Sequence, residues 1–448
     1  LDHAAYPVAL PLSSHSNEVI QFAVAIDSQG IKHIVTIECP VGTLEDCIMV
    51  YHKYPGGIQS TYTPSGDNSY LAPDIAVDSS GQAYIVVNKV TDTTPATAET
   101  YWIKPGATSL AHLNNTYITA GIARVAAFGD AVYAVWEIEN DEGSVLRYRQ
   151  LNPLDDSGGF VTDFPATDTT HRSTFAMTVS PAGKLHVAWR LWLDESTRAI
   201  DYSSNVGTNG DMIGHLQRIQ AASGLGKPVI AVDPTNAHVY VAYSKSPSFA
   251  KDEKITGDNI RMALCAANCT TAFTITNLLS VDQNPWWLSS DLSMTASKSS
   301  DQVFLTFSAT NSQVTSGEEI FFIDFNGSGA SNTLRVTNDN SYEDVKPQIV
   351  SVVDSTDSFT LFVTGWRRQI NITTYGDAFL YSFREYWSGA PPLLVADSNS
   401  GADGMEMAAS DHYAMGGWIA DINPYLLSSH TVWITFSDCG LYLPFIRR

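Results

Sequence analysis

The sequence predicts an all-β protein, an eight-bladed β-propeller of four-stranded antiparallel blades. Three observations lead to that expectation. Short apolar runs are separated by stretches of Ser, Thr, Asn, Asp and Gly, and only 16% of residues are charged, as in chains with many strands and turns. One hairpin-like phrase recurs eight times. Each copy is followed by further strand-like runs, as the blades of a closed ring require.

The clearest copy is IAVDSSGQAYIVV (75–87): an apolar run, Asp, a tight turn with Gly, and a second apolar run. The same phrase reads FAVAIDSQGIKHIVTI at 22–37, RVAAFGDAVYAVW at 124–136, FAMTVSPAGKLHVAW at 175–189 and VIAVDPTNAHVYVAY at 229–243. Looser copies stand at 292–307, 349–363 and 405–419. The turn anchors run from Gly30 through Gly81, Gly129, Gly183, Asn236, Ser300 and Asp357 to Ser410, seven steps of about 54 residues. Gly, Asn or Asp at the anchor suits a two-residue hairpin loop that needs φ > 0.

A third strand follows each copy, as in IMVYHK (48–53), VLRYRQ (145–150), AIDYSS (199–204) and IFFIDF (320–325). A weaker fourth comes next, as in TLRVTN (333–338) and PLLVAD (392–397). The last copy ends after its third strand, VWITF (432–436), and YPVALPLSS (6–14) offers the missing fourth. That closure would leave no free sheet edge. It makes 1–439 a single propeller domain with a C-terminal tail, 440–448. A seven-bladed ring with one aberrant copy is the alternative, and a β-sandwich with coincidental spacing is a third reading.

With 47 acidic residues against 25 basic ones, the net charge is −22, and no Lys/Arg cluster is present to hold phosphates. Nucleic acid is therefore not an expected partner, and an anionic membrane surface is disfavoured for the same reason. No apolar run approaches the roughly 20 residues that span a bilayer, so no transmembrane segment is expected. Cys39 and Cys47 flank one loop, and Cys265 and Cys269 another. Local pairs of this kind suggest disulfides and an oxidising, extracellular or cell-surface location, with free thiols as the alternative. Neither pair has the further ligands of a tetrahedral metal site, so no metal and no cofactor are expected. Cys439 is left over.

The repeat also orients the ring. Each first strand lines the channel, the Asp–Gly turns close the bottom, and loops converge at a top mouth where ligands commonly bind. Asp74, Arg124, Arg172, Lys227 and Lys346 stand where first strands begin. Trp136, Glu137, Arg190, Tyr243, Trp366, Arg367 and Trp418 stand where second strands end. Aromatic rings stack on sugars and guanidinium forks hold carboxylates, so this mouth suits an acidic glycan. Each Trp can equally be a packing plug between blades, and each Arg can pair with a surface carboxylate. His186, between Leu185 and Val187, reads as structural rather than catalytic.

The segments 75–87, 175–190 and 229–243, with VLRYRQ after the third copy, resemble the sialidase-like propellers. The resemblance implies a secreted protein of that fold. The family's Asp box, Ser-x-Asp-x-Gly-x-x-Trp, is incomplete at 152–162 and 205–214, and its Arg-Ile-Pro motif is absent. No acid and nucleophile pair can be nominated. The resulting expectation is a non-catalytic binding or assembly protein that takes a glycan or a surface protein. Its apolar-then-basic tail, GLYLPFIRR, docks on its own ring or joins copies through the termini. The alternative is a glycoside hydrolase or polysaccharide lyase acting on an acidic glycan, with Arg190, Tyr243, Glu137 and Arg367 as its candidates.

Overall fold

The computed structural model describes residues 17–438, except 67, 92–96, 114–118, 141–142, 152–160, 165–171, 206–215, 246–258, 267–268, 270, 281–285, 312–317, 328–329, 338–342, 354–359, 370–377, 385–392, 397–401, 412 and 422–429. The described residues form antiparallel sheets throughout. Seven sheets have four strands in sequential order and the last has three. The first strands of these sheets are Asn17–Ile26, Asn68–Val77, Thr119–Phe128, Arg172–Val179, Val229–Val232, Trp286–Ala296, Glu343–Val353 and Ala402–Ala409. Each is a neighbour of the next, and the strand 402–409 is again a neighbour of 17–26. First strands thus form a closed circuit with the fourth strands outermost, which is the arrangement of a β-propeller.

Second strands are apolar on both sides because both faces of each sheet are covered. Lys32–Pro40 and Leu185–Trp192 are buried over nearly their whole length. The core consequently lies between successive sheets. Val35 and Ile37 meet Ile85 and Val87; Tyr84 and Trp102 meet Val132 and Trp136; Phe304 and Phe322 meet Ile349 and Phe362. The circuit is completed where Val19, Phe22 and Ile34 meet Met415.

The hairpin turns differ from the two-residue loop expected of them. Asp27 accepts Gln29 N and Ile31 N through Oδ1, while Gly30 N donates to the Asp27 carbonyl at 3.0 Å. Asp78 repeats this with Ser80 N, Gln82 N and Gly81 N. The Asp of the repeat is therefore a cap that satisfies turn amides, as Asx side chains do, and glycine follows at φ +78° and +80°. Only the third sheet, where Phe128 pairs with Ala131, has a two-residue loop.

Third strands lie as expected, among them Ile48–Tyr54, Gly143–Gln150, Arg198–Ser204 and Glu318–Phe325. The fourth strand of the sixth sheet is Ala330–Arg335, a few residues ahead of the expected 333–338, and Leu393–Ala396 lies within 392–397. Disulfides join Cys39 to Cys47 and Cys265 to Cys269, compatible with an extracellular protein. No helix among the described residues is long and apolar enough to cross a membrane. The closing strand at 6–14, the anchor Asp357, Cys439 and the tail lie outside the described residues.

Candidate functional site

The first strands are regular at the turn end and broken further up. In seven of the eight sheets the register between first and second strands shifts; only the fifth sheet pairs without a break. Such bulges bend a strand and re-aim its side chains. Two of them place a non-glycine residue in the left-handed region, Ala72 at φ +51° and Lys346 at φ +52°. Two residues beyond each stands a polar side chain that reaches the next sheet.

Those side chains belong to a belt around the channel. Asp74 Oδ2 accepts Val125 N at 2.8 Å, and its Oδ1 accepts Ile75 N at 3.1 Å. Gln348 Oε1 accepts Met407 N at 2.8 Å, Ser293 Oγ accepts Ile349 N at 3.2 Å, and Gln21 Oε1 accepts Ala72 N at 2.6 Å. All but the Ile75 bond tie one first strand to the next. Amides on the inner edge of the sheets, which has no further strand to pair with, are satisfied in this way.

Four charged groups converge on the same belt. Counted from the hairpin turn, Asp74 and Glu406 occupy the same rung of the second and eighth sheets, and Arg124 stands one rung further from the turn in the third. Burial raises the Asp74 carboxyl above the usual carboxylate range; the charge of Arg124 and the two amide bonds oppose it. Burial raises Glu406 as well, against Arg124, the hydrogen bond from Gln348 Nε2 at 3.3 Å, and Lys346. The Asp74 charge raises Glu406 further. Two carboxyls with heightened proton affinity thus share one guanidinium, with Lys346 also in electrostatic reach of Glu406. Arg124 and Lys346 are exposed, so the cluster is open to a ligand.

The residues expected at the ends of second strands are placed differently. Trp136, Trp366 and Tyr243 are fully buried, and Arg190 and Glu137 nearly so. Trp136 sits in the apolar layer between the second and third sheets. Tyr243 lies in the layer between the fourth and fifth, its hydroxyl donating to Gln220 Oε1 at 2.8 Å. Glu137 lies against Gly121, where an added Cβ would stand 2.6 Å from Glu137 Oε2. None of these rings presents a face to the mouth. The side chains of Arg367 and Trp418 lie outside the described residues. Of the nine candidates the fold therefore brings Asp74 and Arg124 together and turns five others into the sheets.

Glu406 and Gln348 escaped the sequence reading. Glu406 is legible in hindsight: aligned on its turn, MEMAAS puts Glu where FAVAID has Ala23 and TFAMTVS has Ala176, and only the second copy, with Asp74, also has a carboxyl there. A charged side chain at an apolar rung of a repeat is the signal. Gln348 carries none, because its role depends on the bulge after Val345.

Other polar groups are accounted for within the sheets. Asp201, buried on a third strand, takes a bidentate pair from Arg218 at 3.0 and 3.2 Å, and Glu319 takes Arg335 at 2.8 Å. His186 Nδ1 bonds the Tyr202 hydroxyl at 2.7 Å, and burial lowers its pKa to about 4, which makes it a neutral core residue. Among the described residues no group of three or more His, Cys, Asp or Glu is placed to hold a metal ion.

No family model matches the chain, and no curated protein does. Among solved structures it is similar to the polysaccharide lyase Uly1, at 7% identity and a TM-score of 0.49 over 93% of this chain and 90% of that one. It is similar to the β-propeller domain of the Trilobed protease from Pyrococcus furiosus, at 6% identity and a TM-score of 0.46 over 86% and 99%. A NanB sialidase from Streptococcus pneumoniae follows at 9% identity and a TM-score of 0.39 over 96% and 70%. These neighbours thus include a polysaccharide lyase, a sialidase and a β-propeller domain.

Proposed function

We propose that this chain is a carbohydrate-active propeller of eight blades that cleaves an acidic glycan in its channel, as a glycoside hydrolase or a polysaccharide lyase. One observation carries the reading: Asp74 and Glu406, two carboxyls with raised proton affinity, stand on the same rung around a shared Arg124. Cleaving a glycosidic bond needs a carboxyl that keeps its proton near neutral pH and a second, ionised group. Two coupled carboxyls supply both states, because ionising one raises the other. In this assignment Glu406, which has the more carboxylate-rich surroundings, is the acid, and Asp74, held by two amides, is the ionised partner. Arg124 and Lys346 bind the anionic substituent of the substrate.

The closed circuit of first strands supports a reading of eight blades in one domain, 1–439. The disulfides favour a secreted or surface-exposed protein. Arg367 and Trp418 are retained as mouth residues for the polymer.

The experiment is a turnover screen of the full chain on polygalacturonate, glycosaminoglycans and sialosides, read by new reducing ends and by the ultraviolet absorbance of unsaturated uronates. Reducing ends without absorbance mark a hydrolase, and both together mark a lyase. Glu406→Gln is expected to lower kcat by about 10²–10⁴ with little change in KM. Binding that Arg124→Ala abolishes, with no turnover of any polymer, would return the chain to a purely binding role.

A further inference from the structure

A second cleft, away from the channel, lies between the first and second sheets on the side of their outer strands. It has a volume of about 320 Å³ and is lined by Tyr62, Tyr70, Tyr101, Lys89, Ser65 and Ser109 with further hydroxyls. No Asp or Glu lines it. The three tyrosine rings are packed into the layer between the sheets, so each offers only the part that forms the wall. They are held in place: Tyr62 Oη accepts Gly106 N at 3.4 Å, Tyr101 Oη donates to Glu99 Oε2 at 2.6 Å, and the Tyr101 ring lies 4.2 Å from that of His112.

Lys89 supplies the second observation. Its ammonium has one polar contact among the described residues, Ser65 Oγ at 3.5 Å. The residue is half-buried and has no ion pair among the described residues; Glu99, opposite it in the ladder, accepts the Tyr101 hydroxyl instead. Arg218 and Arg335, by contrast, pair with Asp201 and Glu319. The wall thus combines aromatic surface, a row of hydroxyls and one positive charge without an ion pair among the described residues. Aromatic faces suit the C–H surface of a sugar ring, hydroxyls its hydroxyl groups, and an ammonium a single carboxylate or sulfate.

We propose that this cleft is a separate binding site for one unit of an anionic saccharide, with the sugar on the tyrosine wall and its carboxylate or sulfate on Lys89. The volume lies at the lower end of small-ligand sites, about 300–1,000 Å³, which fits a single unit rather than a threaded chain. The site shares with the proposed channel activity only the class of ligand, and no residue. Its place on the outer strands suits holding a polymer while the channel works on another part of it, which raises apparent affinity through effective concentration.

The test is isothermal titration of the full chain with trigalacturonate, a sulfated chondroitin tetrasaccharide and, as the neutral probe, maltotriose. Each is run on the wild type and on the Arg124→Ala/Lys346→Ala protein, which lacks the anion-binding groups assigned to the channel. One anionic probe at least is expected to bind both proteins with similar affinity, and which one distinguishes carboxylate from sulfate. Lys89→Gln should weaken that binding about tenfold, the loss of one charge-assisted contact. Ser109→Trp, at an exposed position on the rim, should abolish it with an unchanged far-UV spectrum. The proposal is overturned if neither anionic probe binds the channel double variant, or if both cleft variants keep wild-type affinity. Maltotriose binding as tightly as the anions would equally remove the role given to Lys89. A channel reading that fails shows itself separately, as absent turnover with cleft binding intact.

Discussion

Replacing Trp136 by Ala separates packing from ligand contact more cleanly than any other single change. The ring has no exposed surface and lies among Ala76, Tyr84, Val86, Trp102, Val125 and Val132, which come from two sheets. A buried Trp removes about 150–250 Å² from water, which at about 25 cal/mol per Å² amounts to roughly 4–6 kcal/mol. Buried Trp→Ala changes cost about 3–5 kcal/mol, because the cavity collapses in part. The indole Nε1 has no hydrogen-bond partner in this layer, so Trp136→Phe loses volume and no polar contact, and should cost less than half as much. A ring that stacked on a sugar would behave otherwise, since surface changes stay within about 0.5 kcal/mol of neutral. Urea denaturation followed by far-UV dichroism gives the stability of both variants, and glycan titration of whatever remains folded gives the binding. The reasoning is refuted if Trp136→Ala keeps wild-type stability and loses glycan binding.

Four further outcomes follow from the same geometry. Glu406 has a raised proton affinity when folded, so its contribution is complete below the unfolded carboxyl pKa and declines as pH rises through the folded value; Glu406→Gln should gain stability over the wild type with rising pH, and a pH-independent difference would count against it. His186 behaves in the opposite sense: with its pKa lowered to about 4, the wild type should lose stability relative to His186→Gln as pH falls from about 6.5 to about 4. Gly30→Ala places a methyl at φ +78° and 3.0 Å from the Tyr413 ring, where the first and last sheets meet. The backbone alone costs about 1–2 kcal/mol, and Gly129→Ala, with nothing within 4 Å, should show only that part in a thermal melt. Reducing Cys39–Cys47, with a sequence separation of 8, should cost about 2–3 kcal/mol by loop-closure entropy, seen as a lower melting temperature in dithiothreitol.

The repeat was legible because the pattern that makes a hairpin is local. Asp27 and Asp78 cap their own turns, and Val35 and Ile85 are buried whichever sheet comes next, so each copy carries its instructions within about 15 residues. The outer strands were less so. Ala330–Arg335 pairs through backbone at an edge, where sequence is weakly constrained, and the reading 333–338 slid along it. The two-residue turn was misjudged because a glycine at positive φ occurs in several loop lengths, and only the Asp carboxyl distinguishes them.

The site was half legible, and the reason is geometrical. A residue at the end of a second strand would reach the mouth if the strand were exposed, but that strand is covered on both faces, so Trp136, Trp366 and Tyr243 are buried within the sheets. First strands lie at the channel edge, with no partner on one side, and there a polar residue is tolerated only if something satisfies it. Asp74 and Gln348 are satisfied by amides of the following sheet, across 51 and 59 residues of sequence. Such a bond needs a side chain set just past a bulge and an inner-edge amide of the following sheet, and neither has a sequence signature in one copy. What can be read is the exception across copies: a charge on a rung where the other copies have Ala or Val. Asp74 and Glu406 are two such exceptions on one rung, with Arg124 one rung further up, and fold alone would favour none of them. Burial makes each of the two carboxyls costly to ionise, so a ring that keeps both beside one guanidinium keeps them for the chemistry of its channel.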